Sequence, residues 1–484
     1  MSLPEPDPRR WLVLAVIAGA QMMVVLDATI VNIALPSLQI DLGISDADRQ
    51  WVITAYALTF GGFLLLGGRI ADYWGRKRTF MLGMIGFALA SALGGIANSG
   101  EVLFGARALQ GLFGAMLAPA GLAILTTTFH DPEERSKAFA VFGAISAGGA
   151  AVGLLLGGIL TELLNWRWCL LVNTPVAAIA AFATYRVVTE SKVQKSGSLD
   201  VSGALLGTAG LVSLVYGFTK AGETSWGNST TILFLAAAVI LLGTFAVVEA
   251  KHRNPLLPLR IPRDRNRGGS YLTSILLGAA IFGASLFLTY YFQQVLGYTP
   301  IQAGLASLPI SLGVFTAAGV LGKVLPKIGP RPVMIAGSLC GAAGMGLLTQ
   351  IQVDSNFWAL VFPGELLFGL GMGMIFVPLA NIALINIEPD DAGVASALLN
   401  ASQQVGGSLG TALLNSVYTS AVTAYLVDNA IANPQDPQAL VHGFQVGFWW
   451  SAGLMLLGTV AITVMIRAGK SDLVEQEAAP VHVG

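Results

Sequence analysis

Apolar residues run along this chain in long stretches of about twenty or more, separated by short breaks rich in charge, glycine and proline. A helix of that length covers the roughly 30 Å of hydrocarbon in a bilayer, so each stretch predicts a spanning helix. The breaks place six helices near 11–39, 50–72, 78–98, 101–129, 136–162 and 167–188. A linker with Lys192, Lys195 and Gly197 follows, then two helices near 200–220 and 230–250 and a basic segment from Lys251 to Arg267. Six more fall near 270–296, 301–327, 331–353, 357–387, 396–425 and 440–467. The expected architecture is an all-α integral membrane protein: a six-helix bundle over 1–190, a linker with two extra spans over 191–268, and a second six-helix bundle with a short tail over 269–484. Arg9 and Arg10 before an apolar stretch resemble a signal peptide, but that stretch runs to about Leu38 without a small-residue cleavage pattern and reads as the first span.

Composition agrees with the pattern. Of 484 residues, 54% are hydrophobic and only 11% charged, against roughly 25% charged in an average soluble domain. With no water in a bilayer core, spanning segments must satisfy their backbone groups internally, which long unbroken runs do as helices. Among the 26 lysines and arginines, Arg107 falls inside a span, and only Arg49, Arg167 and Lys220 fall on the side opposite the termini. The positive-inside rule then makes both termini cytoplasmic, with an even number of spans. A net charge of -1 gives no basic face for nucleic acid. Cys169 and Cys340, the only cysteines, lie in apolar runs and suggest neither a disulfide framework nor a metal site.

Charge at depth is the next signal. The first span contains Leu26-Asp27-Ala28-Thr29-Ile30-Val31-Asn32, and a carboxylate inside an apolar helix costs a few kcal/mol, so Asp27 is a functional candidate by default. The fourth span contains Leu103-Phe104-Gly105-Ala106-Arg107-Ala108-Leu109-Gln110-Gly111. The Arg107 guanidinium cannot shed its proton and needs a permanent partner or a wet cavity. Counting from the span ends puts Arg107 roughly 10 Å below the outer surface, a depth compatible with Asp27. Glu365, roughly 14 Å deep in the twelfth span, faces the same insertion cost and is a proton-coupling or cation-binding candidate.

Other motifs are more local. Gly68-Arg69-Ile70-Ala71-Asp72-Tyr73-Trp74-Gly75-Arg76-Lys77-Arg78 occupies the break between the second and third spans, with a weaker counterpart from Gly319 to Arg331. Paired six-helix halves around a midplane site are a recurring transporter plan. In the fifth span Gly149, Gly153 and Gly157 recur every four residues, a spacing that lets helix backbones approach closely. Asn32 in the first span and the polar Asn400 and Gln404 in the thirteenth are expected to face a cavity. Tyr290 and Met372 are expected to add an adaptable aromatic and thioether wall for substrate, and Gln294 is a further substrate-binding candidate.

Together these segments resemble the major facilitator superfamily, specifically its fourteen-helix drug:proton antiporter branch. Trp166-Arg167-Trp168 followed by Asn173-Thr174-Pro175, Gln293 to Tyr298 and Gly393 to Gly407 carry the resemblance over nearly the whole chain. It implies that Asp27 is a protonation site with Arg107 as partner, and that Gly68, Asp72, Gly75 and Arg76 form a conformational latch. It also implies proton-coupled export of lipophilic or cationic drug-like molecules across a bacterial plasma membrane, by a monomer in contact with lipid and protons and with no cofactor beyond the proton gradient. One departure is Leu154, where the family's antiporter motif has proline after its second glycine. Export of an endogenous metabolite or lipid, symport, and a transport-inactive receptor are the alternatives.

Enzymatic readings are weaker. Gly406-Gly407-Ser408-Leu409-Gly410 fits Gly-x-Ser-x-Gly but sits in a long apolar helix without a histidine partner. No Gly-x-x-x-x-Gly-Lys-[Ser/Thr] loop appears for ATP, and His130, His252, His442 and His482 fall in breaks, span ends or the tail, away from any metal constellation.

Overall fold

The computed structural model describes residues 8–46, 48–129, 131–191, 200–252, 255–385, 387 and 392–469. Lys192, Lys195, Gly197, His130 and His482 lie outside them. Among the described residues the fold is all helix, with no strand. The helices are α1 (Arg10–Leu42), α2 (Trp51–Trp74), α3 (Arg76–Gly95), α4 (Gly100–Thr128), α5 (Pro132–Leu163), α6 (Trp168–Leu171), α7 (Asn173–Val187), α8 (Val201–Glu223) and α9 (Ser229–Lys251). After a short α10 (Arg260–Arg263) come α11 (Arg265–Tyr290), α12 (Pro300–Ala306), α13 (Leu308–Ile328), α14 (Pro330–Leu348), α15 (Phe362–Ala383), α16 (Ala392–Asp428) and α17 (Pro437–Met465).

Among the described residues, twelve helical segments are long and apolar enough to cross a membrane. α5, with 32 residues, and α16, with 37, stand outside those twelve. Large apolar side chains such as Ile179, Phe182, Leu233, Val239, Ile240 and Leu457 stand exposed on the helices. In water such surface would be an aggregation liability; against lipid it is the expected solvent-facing face. Three regular expectations acquire breaks. The span expected near 301–327 is interrupted at Ser307, the end of the ninth adds a wide π turn over Tyr291–Val295, and the twelfth opens with another over Phe357–Val361. Such π turns recur at functional sites in helices.

The chain divides into two compact units: Met1–Leu214 with Phe234–Leu256 and Gly297–Leu305, and Val215–Leu233 with Leu257–Leu296 and Ala306–Gly484. The division passes through α8 and α9. In the first unit α1 packs on α5 and α7, α2 on α4, and α3 on α4 and α7. In the second α11 packs on α16 and α17, α13 on α15, and α14 on α15 and α17. The pairings match one for one, so the internal repeat that the sequence only hints at is explicit in the helix packing.

Close packing explains the glycines at these crossings. A side chain at Gly67 or Gly111 would collide with the backbone across the α2–α4 contact, and one at Gly313 or Gly369 would do so across α13–α15. Without a hydrophobic driving force between helices in lipid, such backbone approach is a main source of association.

Candidate functional site

Asp27 lies midway along α1 and is wholly buried. Its Oδ2 accepts from Arg107 Nη1 at 2.5 Å, and its Oδ1 accepts from Gln110 Nε2 at 2.8 Å and from Asn173 Nδ2 at 2.7 Å. Arg107 is likewise buried; its Nε donates to the Val52 carbonyl at 2.9 Å and its Nη1 also to Gln110 Oε1 at 2.9 Å. The guanidinium carbon sits 4.5 Å from the centre of the Tyr56 ring. Ser91 Oγ completes the network by accepting from Gln110 at 2.5 Å and from Asn173 at 3.3 Å. Five helices, α1, α2, α3, α4 and α7, therefore converge on one carboxylate.

Two charges removed from water are tolerable only when they face each other and their remaining hydrogen-bonding capacity is met. Here both carboxylate oxygens have charged or amide donors, and the arginine has carboxylate, carbonyl, amide and aromatic partners. Arg107 and Asp27 are the two proton-coupling candidates the structure brings together. Gln110 and Asn173 lie inside quoted motifs without having been singled out, and Ser91 gave no sequence signal beyond being a polar residue in an apolar span.

The glycine stripe fixes the height of Asp27. Gly149 faces Val25, a Cβ on Gly153 would run into Thr29, and one on Gly157 would come within 2.6 Å of the Ile30 carbonyl. The three glycines thus receive the turns of α1 immediately before and after Asp27. Leu154, where the family motif has proline, presents its carbonyl to the 297–305 segment, 2.6 Å from where a Cβ on Gly304 would stand.

Glu365, in the second unit, has the opposite environment. It is wholly buried in the first turns of α15, and neither carboxyl oxygen has a hydrogen-bond partner among the described residues. An ionised carboxylate in that position would lack every compensating contact.

The remaining candidates are spread out. Asn32 is half-buried on α1, with its buried Oδ1 unpartnered. Tyr290 and Met372 are buried in the second unit, where the neighbouring Tyr291 hydroxyl donates to the Gln352 carbonyl at 2.7 Å. Gln294 is half-buried within the first π turn, Gln404 is half-buried on α16, and Asn400 is exposed, its amide donating to the Ser396 carbonyl at 3.2 Å. In the α2–α3 turn Arg76 pairs with Asp72 at 3.5 Å and donates to the Ala123 carbonyl of α4 at 3.4 Å, while Gly68 faces Pro119.

The chain is 48% identical over 479 residues to a puromycin resistance protein of Streptomyces alboniger, covering 98% of this chain and 95% of that one. It is 38% identical to a cephamycin export protein of Amycolatopsis lactamdurans, covering 82% and 83% of the two chains. It is also 33% identical to a tetracenomycin C resistance and export protein of Streptomyces glaucescens, covering 92% and 84%. In fold it is similar to the crystal structure of the POT family transporter PepTSo, with a TM-score of 0.70 over 96% of this chain and 98% of that one at 16% identity. With the repeated helix pairing, the buried Asp27–Arg107 pair and a match of the family pattern to residues 17–411, this multi-pass membrane protein belongs to the Major Facilitator Superfamily.

Proposed function

We propose that this protein exports antibiotic-like small molecules, puromycin first among the candidates, across a bacterial plasma membrane in exchange for protons, with both termini cytoplasmic. The observation that carries the reading is the Asp27 cage: a titratable carboxylate held in the membrane interior by Arg107, Gln110 and Asn173. The names of the relatives supply the substrate class.

In this reading a proton arriving at Asp27 cancels its charge and weakens its hold on Arg107, so the helices carrying the two groups favour a different arrangement. Glu365 is a second proton carrier in the other unit. Alternating access follows if proton and substrate each bind the two arrangements unequally, because linkage then makes their effects reciprocal. Asn32, Tyr290, Gln294, Met372, Asn400 and Gln404 remain the candidates for substrate contact. The proton gradient is the energy source and no cofactor is required.

The test is puromycin accumulation in energised cells expressing the chain. The reading expects lower accumulation than in control cells, and a collapse of that difference when the proton gradient is dissipated. Equal accumulation with and without the chain would contradict export; a difference that survives loss of the gradient would contradict proton coupling.

A further inference from the structure

α3 begins at Arg76, directly after the glycine of the latch turn, and its N-cap Gly75 offers no side chain to its exposed N–H groups. The first intrahelical bond belongs to Thr79, which donates to the Gly75 carbonyl at 3.0 Å. Of the four orphan donors at a helix start, the Gly75 N–H is met by the Ala71 carbonyl of α2 at 3.2 Å, which leaves those of Arg76, Lys77 and Arg78. All three are met from a segment more than a hundred residues later, just past the end of α7. Arg76 N–H donates to the Ser191 carbonyl at 2.9 Å, Lys77 N–H to Glu190 Oε1 at 3.1 Å and Arg78 N–H to Glu190 Oε2 at 3.2 Å.

Further contacts hold the same segment. The Arg78 guanidinium lies 3.7 Å from Glu190, and Lys77 Nζ donates to the Tyr185 carbonyl at 3.0 Å. Gly75 is required on two separate grounds. Its φ of +120° is one that side chains avoid, and a Cβ there would stand 2.7 Å from Glu190 Oε1. An anion at a helix N-terminus also complements the helix dipole.

The repeat provides the control. α14 starts after Gly329, whose φ is +88°, but its first residues are Pro330-Arg331-Pro332. Two of the three positions that need a cap in α3 have no N–H at all in α14. The second turn is closed by the covalent structure of proline; the first is closed by a carboxylate that can let go.

We infer that Glu190 is a positioning residue of the latch: its carboxylate caps α3 from outside the turn and holds Asp72 and Arg76 in register. The inference rests on the latch role within the proposed function. The test uses the full chain in proteoliposomes, measuring amide hydrogen exchange in the first turn of α3 and puromycin transport for wild type, Glu190→Ala and Glu190→Gln. Losing a helix cap should speed exchange at Lys77 and Arg78 about fivefold in Glu190→Ala, with a comparable fall in turnover and an unchanged KM for puromycin. Glu190→Gln keeps one acceptor oxygen and should fall between the two. Wild-type exchange or wild-type turnover in Glu190→Ala would overturn the inference, as would an effect confined to KM. If Glu190→Ala does not fold, wild-type values for both readouts in Glu190→Gln overturn it. A wild-type protein that moves no puromycin sinks the transport reading instead, and the exchange measurement still decides the cap.

Discussion

Two buried acids, one in each unit, solve the same electrostatic problem in opposite ways. Asp27 has three donors on its oxygens and a guanidinium among them; Glu365 has none among the described residues. The first is built to hold a charge in the membrane interior, since its surroundings replace the water it has lost. The second offers an ionised carboxylate no compensating contact among the described residues. An exporter that takes up and releases protons has a use for both kinds of site.

The contrast can be broken by substitution, and the expected effects on stability descend from the cage to the lone acid. Arg107→Ala leaves the Asp27 charge without its cation, and breaking a buried pair from one side costs about 3–5 kcal/mol; a large drop in thermal stability with loss of export is the expected result. Gly157→Val drives a branched side chain into the Ile30 backbone of α1. Overpacking of that kind costs about 1–3 kcal/mol, and the accompanying displacement of Asp27 should lower export more than it lowers the amount of folded protein. Asn173→Ala deletes one amide donor, for roughly 1 kcal/mol, with export reduced but not abolished. Glu365→Gln removes no hydrogen bond seen among the described residues, so thermal stability should fall less than in Asn173→Ala, while proton movement per substrate falls. Equal destabilisation by Arg107→Ala and Glu365→Gln would erase the distinction between the two acids.

The sequence makes the charged half of this picture legible and hides the neutral half. Asp27, Arg107 and Glu365 stand out because a charge in an apolar run is costly wherever its helix points. Ser91, Gln110 and Asn173 do not, because small and amide side chains are common in spanning helices and no periodicity reports the rotation of α3, α4 and α7 about α1. Span positions follow closely from hydropathy, as with the first span, expected near 11–39 and found at Arg10–Leu42. The break at Ser307 and the π turns over 291–295 and 357–361 are not legible in the apolar pattern, because hydropathy reports which residues enter the membrane and not how many residues close each helical turn. The latch turn was legible as a motif, yet its cap was not: Glu190 is distant in sequence and lies in an unremarkable polar stretch.

The central claim is that protonation of Asp27 is coupled to substrate movement. Its most direct test is the proton flux evoked by adding puromycin to proteoliposomes, compared between wild type and Asp27→Asn at equal amounts of inserted protein. The account predicts proton movement opposite in direction to puromycin in wild type and none in Asp27→Asn. Undiminished, gradient-driven exchange by Asp27→Asn would contradict it.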